Sequence, residues 1–242
     1  MNLIIDIGNT RAKYAIFDNN QLIEQGEGLA VALQRISAVR DHRQPLHVLL
    51  AATGPVPPHL PRQLAHIATS FHRAIVTPPL PIPVLHAPLE TLGVDRLAAA
   101  LAAIAIHPNR DILVVSAGTA ITYNRVLQGQ FAGGNITPGL HLRYLSLRQY
   151  TARLPLVHGV ATTTAIATTT RDAIQQGVTR GVIAEINAQA DDFRRAHPSP
   201  VFLLTGGDAP ALAPLLLDDF QLEPNLVFNG LNQLLEYKKA TP

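Results

Sequence analysis

The chain has 242 residues, of which 47% are hydrophobic and 15% charged, enough to bury a substantial core in one large domain or two small ones. It contains no cysteine, which excludes disulfides, thiolate metal sites and cysteine nucleophiles. The formal net charge is only +2 and the basic residues are scattered, so we expect no nucleic-acid partner. No basic leader precedes the first apolar run and no uncharged apolar stretch approaches ~20 residues, so we expect a cytoplasmic protein without membrane association.

The predicted elements of the first half begin with a buried strand at residues 3–7 that runs into a glycine turn. Two more strands are predicted at 14–17 and 21–23, with a turn between them, and another at 46–51. Apolar residues at helical spacing predict helices over 29–40, 60–71 and 91–106. Because Pro108 cannot continue the last helix, we place a domain boundary there, giving domains 1–108 and 109–242.

The second half repeats this order about 110 positions later. Residues 113–117 form a buried strand that again ends in a glycine turn, so that Gly118 corresponds to Gly8 and Ser116 to Asp6. Strands at 121–123, 125–127, 130–134 and 201–205 follow, with helices at 172–195 and 226–237. The first of these helices is either continuous or interrupted at Gly177 and Gly181. The repetition favours a duplicated α/β unit.

The first candidate motif lies at the end of the first strand. There the carboxylate of Asp6 can hold hydrated Mg²⁺, and the backbone N–H groups of Gly8, Asn9 and Thr10 can bind an anion. Lys13 can pair with a phosphate. Taken alone, the pattern also suits a plain hairpin. The second copy, Gly118-Thr119, favours two phosphate loops that face each other across an interdomain cleft, as in the actin-like and sugar-kinase superfamily.

The second candidate motif is Gly93-Val94-Asp95-Arg96 at the start of an alanine-rich helix. In one interpretation Asp95 only complements the helix dipole, worth ~0.3–1 kcal/mol, and Arg96 points to solvent. In the other, Asp95 is the base that accepts a proton from an attacking hydroxyl during phosphoryl transfer.

These motifs, together with Gly133-Gly134-Asn135-Ile136-Thr137-Pro138-Gly139 and Thr205-Gly206-Gly207-Asp208, closely resemble those of the type III pantothenate kinases, also called Bvg accessory factors. The resemblance covers essentially the whole chain. It implies two ribonuclease-H-like domains, a homodimer, and transfer of phosphate from ATP to pantothenate, the first step of coenzyme A synthesis. It also implies Mg²⁺ and a monovalent cation, K⁺ or NH₄⁺. The alternative is a catalytically weak ATP-binding accessory protein of the same family.

The resemblance also implies roles for particular residues. Asp95 is the proton acceptor, and Asp6 holds Mg²⁺ through water. The ATP and phosphate residues are Asp6, Ile7, Gly8, Asn9, Thr10, Arg11, Ala12, Lys13, Gly118, Thr119, Gly206 and Gly207. The pantothenate residues are His86, Gly93, Val94, Asp95, Arg96 and Thr170, with His86 standing where the family often has tyrosine.

Two positions depart from the family pattern. Ser116 stands where the family usually has the aspartate that helps to hold the monovalent cation, and Asn124 replaces another common aspartate. Loss of one charged ligand corresponds to ~1.5–3 kcal/mol, or roughly 10–150-fold, if nothing replaces it. We therefore expect altered or absent K⁺ dependence, with Ser116 as a degenerate cation position.

Overall fold

A computed structural model describes residues 1–40, 45–162, 165–217 and 219–241, which form two compact units. The first unit comprises Met1–Ile106 and Asn225–Pro242, and the second comprises His107–Pro224. No helix in the described ranges is both long enough and apolar enough to cross a membrane.

The first unit is built on a five-stranded mixed sheet. Its strands are β1 (Asn2–Ile7), β2 (Ala12–Asp18), β3 (Gln21–Glu27), β4 (His47–Ala52) and β5 (Ser70–Arg73). They lie in the order β3-β2-β1-β4-β5, with β1 antiparallel to β2 and parallel to β4. The helices are α1 (Leu29–Arg40), α2 (Leu60–Ile67) and α3 (Val94–Ile106). Alternate residues of β1, such as Leu3, Ile5 and Ile7, pack with α2 residues in one hydrophobic core.

The predicted helix over residues 60–71 is wrong at its end. Helix α2 stops at Ile67, and Phe71 lies in β5, which pairs with β4 from Ser70 onwards. The apolar spacing continues past the helix, but the strand partner 23 positions earlier in the chain decides the structure.

The second unit repeats the topology of the first. Its elements are β6 (Ile112–Ala117), β7 (Ala120–Leu127), β8 (Gln130–Pro138), α4 (Leu140–Gln149), α5 (Thr170–Ala196), β9 (Val201–Thr205), α6 (Ala209–Leu212) and β10 (Gln221–Leu222). The strand order β8-β7-β6-β9-β10 matches that of the first sheet, with β6 antiparallel to β7 and parallel to β9. The predicted duplication is confirmed at the level of strand order and direction.

Helix α5 runs unbroken through Gly177 and Gly181, because an apolar stripe carries it past the low helix propensity of glycine. Val178, Val182 and Ile186 of this stripe are buried in the core of the second unit.

A polar network centred on Glu185 ties α5 to the neighbouring elements. The Glu185 carboxylate accepts hydrogen bonds from Tyr123 Oη and Thr137 Oγ1, both at 2.6 Å, and Arg143 Nη2 donates to it at 2.6 Å. Burial alone would raise the pKa of Glu185, but these hydrogen bonds outweigh burial and lower it. The network therefore holds an ionised carboxylate among β7, β8 and α4.

The last helix, α7 (Leu226–Ala240), belongs to the first unit. It packs on α3 so closely that a Cβ on Gly230 would lie 2.8 Å from Ala98 Cα. Further along α7, Asn232 and Glu236 accept hydrogen bonds from the side-chain amide of the buried residue Asn2. The prediction that placed residues 225–242 in the second domain is therefore wrong, because the alanine-rich face of α3 is buried against α7.

Candidate active site

The first phosphate-loop motif lies at the carboxyl end of β1. Residues 8–11 connect β1 to β2, and Gly8 N donates a hydrogen bond to Arg11 O at 3.0 Å. Asn9 and Thr10 are exposed, so the outer side of the loop is open to a ligand. The register of β1 and β2 places Asp6 directly opposite Lys13. The predicted residues 6–13 therefore form one local group.

Asp6 is half-buried at the base of this loop, and its pKa is raised from 3.8 to about 6. Burial is the largest cause, repulsion from the Asp95 carboxylate is the next, and Lys13 acts in the opposite direction. The structure thus brings together two carboxylates that are 89 positions apart in the sequence. Two neighbouring carboxylates give this site a negative charge when they ionise, and such a charge favours the binding of a cation.

Asp95 lies in the first turn of α3, where its charge complements the helix dipole. It is half-buried rather than fully solvated. Gly93 leaves the space that the carboxylate occupies, since a Cβ on Gly93 would lie 2.5 Å from Asp95 Oδ1. The order Gly-x-Asp therefore has a steric reason in this loop.

Arg96 does not point to solvent, so that part of the simpler interpretation is wrong. Its side chain is buried, with 6% of the residue exposed, and burial lowers its pKa while Asp95 raises it. His86 lies beside the same loop, because its Nε2 is 3.0 Å from Oγ1 of Thr91, two residues before Gly93. Residues 93–96 and His86 are thus neighbours in the first unit.

The second phosphate-loop motif lies at the carboxyl end of β6. Gly118 N donates to Ala120 O at 3.1 Å, and Gly139 N donates to Thr119 O at 3.0 Å. Gly206 follows β9 with a φ of +100°, and a Cβ there would lie 2.6 Å from the carbonyl carbon of Ala117. Gly118, Thr119 and Gly206 are therefore gathered at one edge of the second sheet, with Gly207 next to them.

The residues next to Ser116 in the second sheet have uncharged side-chain oxygens that could serve as cation ligands. It pairs with Thr122 across β7 and with Thr205 across β9, and directly paired residues share one face of a sheet. Asn124 lies two residues along the same strand and donates its Nδ2 hydrogen to Thr122 Oγ1 at 3.1 Å. The equivalent row of the first sheet is Asp6, Lys13 and Ala51. The second unit therefore replaces charges with hydroxyl and amide groups.

Thr170 is the first residue of α5 and is exposed. The preceding residue, Thr169, caps the helix by accepting a hydrogen bond from Asp172 N at 3.2 Å. Thr170 also lines an open surface cavity of about 620 Å³ with apolar side chains of α4 and α5 and with Arg143. It is thus accessible to a ligand.

Sequence reasoning missed Gly54, which follows β4. Thr53 N and Gly54 N both donate to Ile7 O, at 2.9 and 3.0 Å, so this segment lies directly against the first phosphate loop. A Gly-Pro pair after a predicted strand was the only signal in the sequence, and it indicates no more than a turn.

The described residues contain no group of three acidic or histidine side chains arranged to hold a metal ion. The Asp6 carboxylate next to the open loop at residues 8–11 is nevertheless compatible with Mg²⁺, which usually takes one or two carboxylates and completes its shell with waters and substrate phosphates.

Comparisons with known proteins agree with these features. A family model described as Type III pantothenate kinase matches residues 2–192. Type III pantothenate kinases of Bacteroides fragilis and Porphyromonas gingivalis are 37% and 38% identical over 241 and 244 residues, covering 99% and 98% of both chains. A Campylobacter jejuni structure named as a conserved Baf family transcriptional activator has a TM-score of 0.60 at 21% identity, covering 98% of this chain and 99% of that one.

The expected fold class is confirmed. A Sinorhizobium meliloti structure named as a 2-dehydro-3-deoxygalactonokinase also has a TM-score of 0.60, at 13% identity, covering 98% of this chain and 99% of that one. At these identities the structural likeness shows the fold alone, which is the two-domain ribonuclease-H-like fold. The family model and the full-length relatives go further, and the chain belongs to the type III pantothenate kinase family.

Proposed function

We propose that this protein transfers the γ-phosphoryl group of ATP to the primary hydroxyl of pantothenate, the first step of coenzyme A synthesis. The observation that carries the proposal is the proximity of Asp6, beside the first phosphate loop, to Asp95, in the first turn of α3. The full-length relatives named as type III pantothenate kinases support the same reaction.

In this proposal the N–H groups of residues 8–10 and the ammonium of Lys13 bind the ATP phosphates. The pantothenate hydroxyl oxygen bonds to the γ-phosphorus while its proton passes to the Asp95 carboxylate. The bond from the γ-phosphorus to the bridging oxygen breaks, and ADP leaves with that electron pair. In this proposal Asp95 therefore accepts the proton, and the loop positions the phosphates.

We assign Asp6 as the residue that holds Mg²⁺, directly or through water. When bound, Mg²⁺ neutralises phosphate charge. A cation near Asp6 also offsets the repulsion between the carboxylates at 6 and 95 that raises the pKa of Asp6. Gly118, Thr119, Gly206 and Gly207 are proposed to contact the nucleotide from the second unit.

We assign Gly93, Val94, Arg96, His86 and Thr170 to the pantothenate side. Pantothenate is a small anion with hydroxyl and amide groups, so an arginine and a few fixed polar groups in a mainly apolar pocket suit it. The family resemblance supports a homodimer in the cytoplasm, and the net charge of +2 argues against nucleic acid as a partner. Light scattering coupled to gel filtration would test the dimer.

We also propose that K⁺ or NH₄⁺ affects this protein less than family members that carry aspartate at the cation position. Ser116, Thr122 and Thr205 offer only neutral oxygens on one face of the second sheet, and Asn124 beside them is also neutral. Turnover measured against KCl, with ionic strength held constant by a large organic cation, tests this. A steep rise with K⁺ contradicts it.

The reaction itself is tested with purified protein, ATP, Mg²⁺ and pantothenate, by coupling ADP release to a dehydrogenase assay. We expect turnover that depends on pantothenate and is lost in Asp95→Asn. The matched control is Asp191→Asn, the same chemical change at an exposed residue of α5 that pairs with Arg194. ATP binding without turnover in the wild type would instead favour an accessory protein.

A further inference from the structure

We propose that Gly54 is a positioning residue that fixes the first phosphate loop by direct backbone contact. The inference rests on the proposed kinase reaction, since it concerns how the loop is held for ATP. Gly54 acts through Gly8 and Asn9, and it has no assigned contact with a substrate.

Two observations show that Gly54 lies directly against the backbone of the first phosphate loop. The N–H groups of Thr53 and Gly54 both donate to Ile7 O, the last carbonyl of β1 before the loop. A Cβ on Gly54 would collide with Gly8 O, and it would lie only 2.9 Å from the Gly8 carbonyl carbon and 3.3 Å from Asn9 Cα. The atoms in the way belong to the loop backbone, which has no flexible end that could move aside.

Space alone explains why glycine is needed at position 54. The backbone of Gly54 lies outside the left-handed region, in contrast to Gly206, whose φ is +100°. An alanine at position 54 therefore meets no conformational penalty of its own, and its effect reports the collision with the loop. This makes Gly54→Ala a cleaner perturbation than substitution of a left-handed glycine.

The second unit contains a similar arrangement. Gly206 directly follows β9, whereas Gly54 is the second residue after β4, and a Cβ on Gly206 would lie 2.6 Å from the carbonyl carbon of Ala117, the last residue of β6. Gly139 also lies against this loop, with a Cβ position 2.7 Å from Thr119 O. A glycine that packs on the backbone where the central strand enters its loop thus recurs in both sheets.

The expected effect follows from the distances. Carbon atoms in ordinary contact are ~4 Å apart, so a Cβ that starts 2.9 Å from Gly8 C requires a shift of the loop by on the order of 1 Å. A misplacement of ~1 Å of groups that position a reacting phosphate can reduce the rate by ~10²-fold. The nearest neighbours of a Cβ at Gly54 belong to the phosphate loop and not to residues 93–96, so the KM for pantothenate should change little.

The test compares wild type, Gly54→Ala, and Gly181→Ala as a matched control. Gly181 lies in α5, and a Cβ there would have only one neighbour within 4 Å, Arg143 Nη1 at 3.8 Å. We expect Gly54→Ala to lose ~10²-fold in kcat/KM for ATP, with the pantothenate KM within about twofold of wild type. Gly181→Ala should retain wild-type kinetics.

A rescue variant separates positioning from a general loss of structure. Pro55 restricts the backbone of residue 54, so Pro55→Ala lets the segment after β4 move back from the loop. The double variant Gly54→Ala/Pro55→Ala should therefore recover part of the lost kcat/KM for ATP. Kinetics of Gly54→Ala within about threefold of wild type, a rise in the pantothenate KM as large as the loss in kcat/KM for ATP, or failure of both variants to fold would overturn the inference.

The outcome also remains distinguishable from failure of the proposed function. If the wild type does not phosphorylate pantothenate, the proposed reaction is wrong. The role of Gly54 is then still judged by the rise in melting temperature with Mg·ATP, which Gly54→Ala should lose and Gly181→Ala should keep.

Discussion

Replacement of Asp6 by asparagine should stabilise the protein at neutral pH while it removes kinase activity. The pKa of Asp6 is raised from 3.8 to about 6, first by burial and then by Asp95. A pKa difference of one between the folded and unfolded states corresponds to ~1.4 kcal/mol. Ionisation of Asp6 therefore lowers the free energy of unfolding by on the order of 3 kcal/mol. An asparagine side chain has a similar shape to aspartate and does not ionise.

The sign of the pH dependence follows from the direction of the shift. A carboxyl whose folded pKa is raised favours the folded state below its unfolded pKa of 3.8, and this contribution is lost as pH rises through about 6. The free energy of unfolding of Asp6→Asn, relative to wild type, should therefore increase by about 2 kcal/mol between roughly pH 4.5 and pH 8.

Urea denaturation followed by circular dichroism, without nucleotide or Mg²⁺, measures this difference at each pH. Asp191→Asn serves as the control, because Asp191 lies in an exposed ion pair that contributes little to stability. Asp95→Asn should reduce the pH dependence of the wild type, because it removes one cause of the raised pKa. A difference between wild type and Asp6→Asn that stays constant over this pH range would refute the reasoning.

Four further predictions concern single residues. Asp95→Asn should lower kcat by ~10²–10⁴-fold without a change in circular dichroism, because the hydroxyl proton then has no acceptor; retained kcat would exclude Asp95 as the base. Gly93→Ala should displace the Asp95 carboxylate and reduce kcat by ~10²-fold, measured by ADP release; wild-type kcat would contradict the steric argument. Ser116→Asp should make turnover rise more steeply with KCl than turnover of the wild type does. An unchanged KCl dependence would show that Ser116 is not part of the cation site. Tyr123→Phe leaves Glu185 without one partly buried hydrogen bond and should cost ~1–3 kcal/mol in urea unfolding, whereas exposed Tyr150→Phe should cost nothing measurable.

The duplicated sheets could be predicted from sequence because each central strand is a local signal. Leu3, Ile5 and Ile7 alternate with residues of the other face and end at a glycine, and the same pattern returns 110 positions later. That repetition predicts that the two sheets share one topology, and the structure shows the same strand order in both. Short β5, by contrast, depends on a distant partner, and its one apolar residue, Phe71, fits the spacing of a helix equally well.

The motifs of the proposed site can be recognised in the sequence residue by residue, but the electrostatics of these residues cannot. The motifs point to Asp6 and Asp95 separately, whereas the raised pKa of Asp6 depends on burial and on their proximity, which only folding creates. The burial of Arg96 likewise arises only when the first unit is folded. Gly54 has no motif, because its importance lies in the atoms that surround it.

The return of α7 to the first unit has a consequence for how the protein is made. Residues 1–106 leave the ribosome long before residues 226–240, so the alanine face of α3 has no covering helix until α7 has been synthesised. The second unit, which is continuous in sequence, can reach its native state first. Removal of α7 would thus destabilise residues 1–106, which precede the whole second unit in the chain.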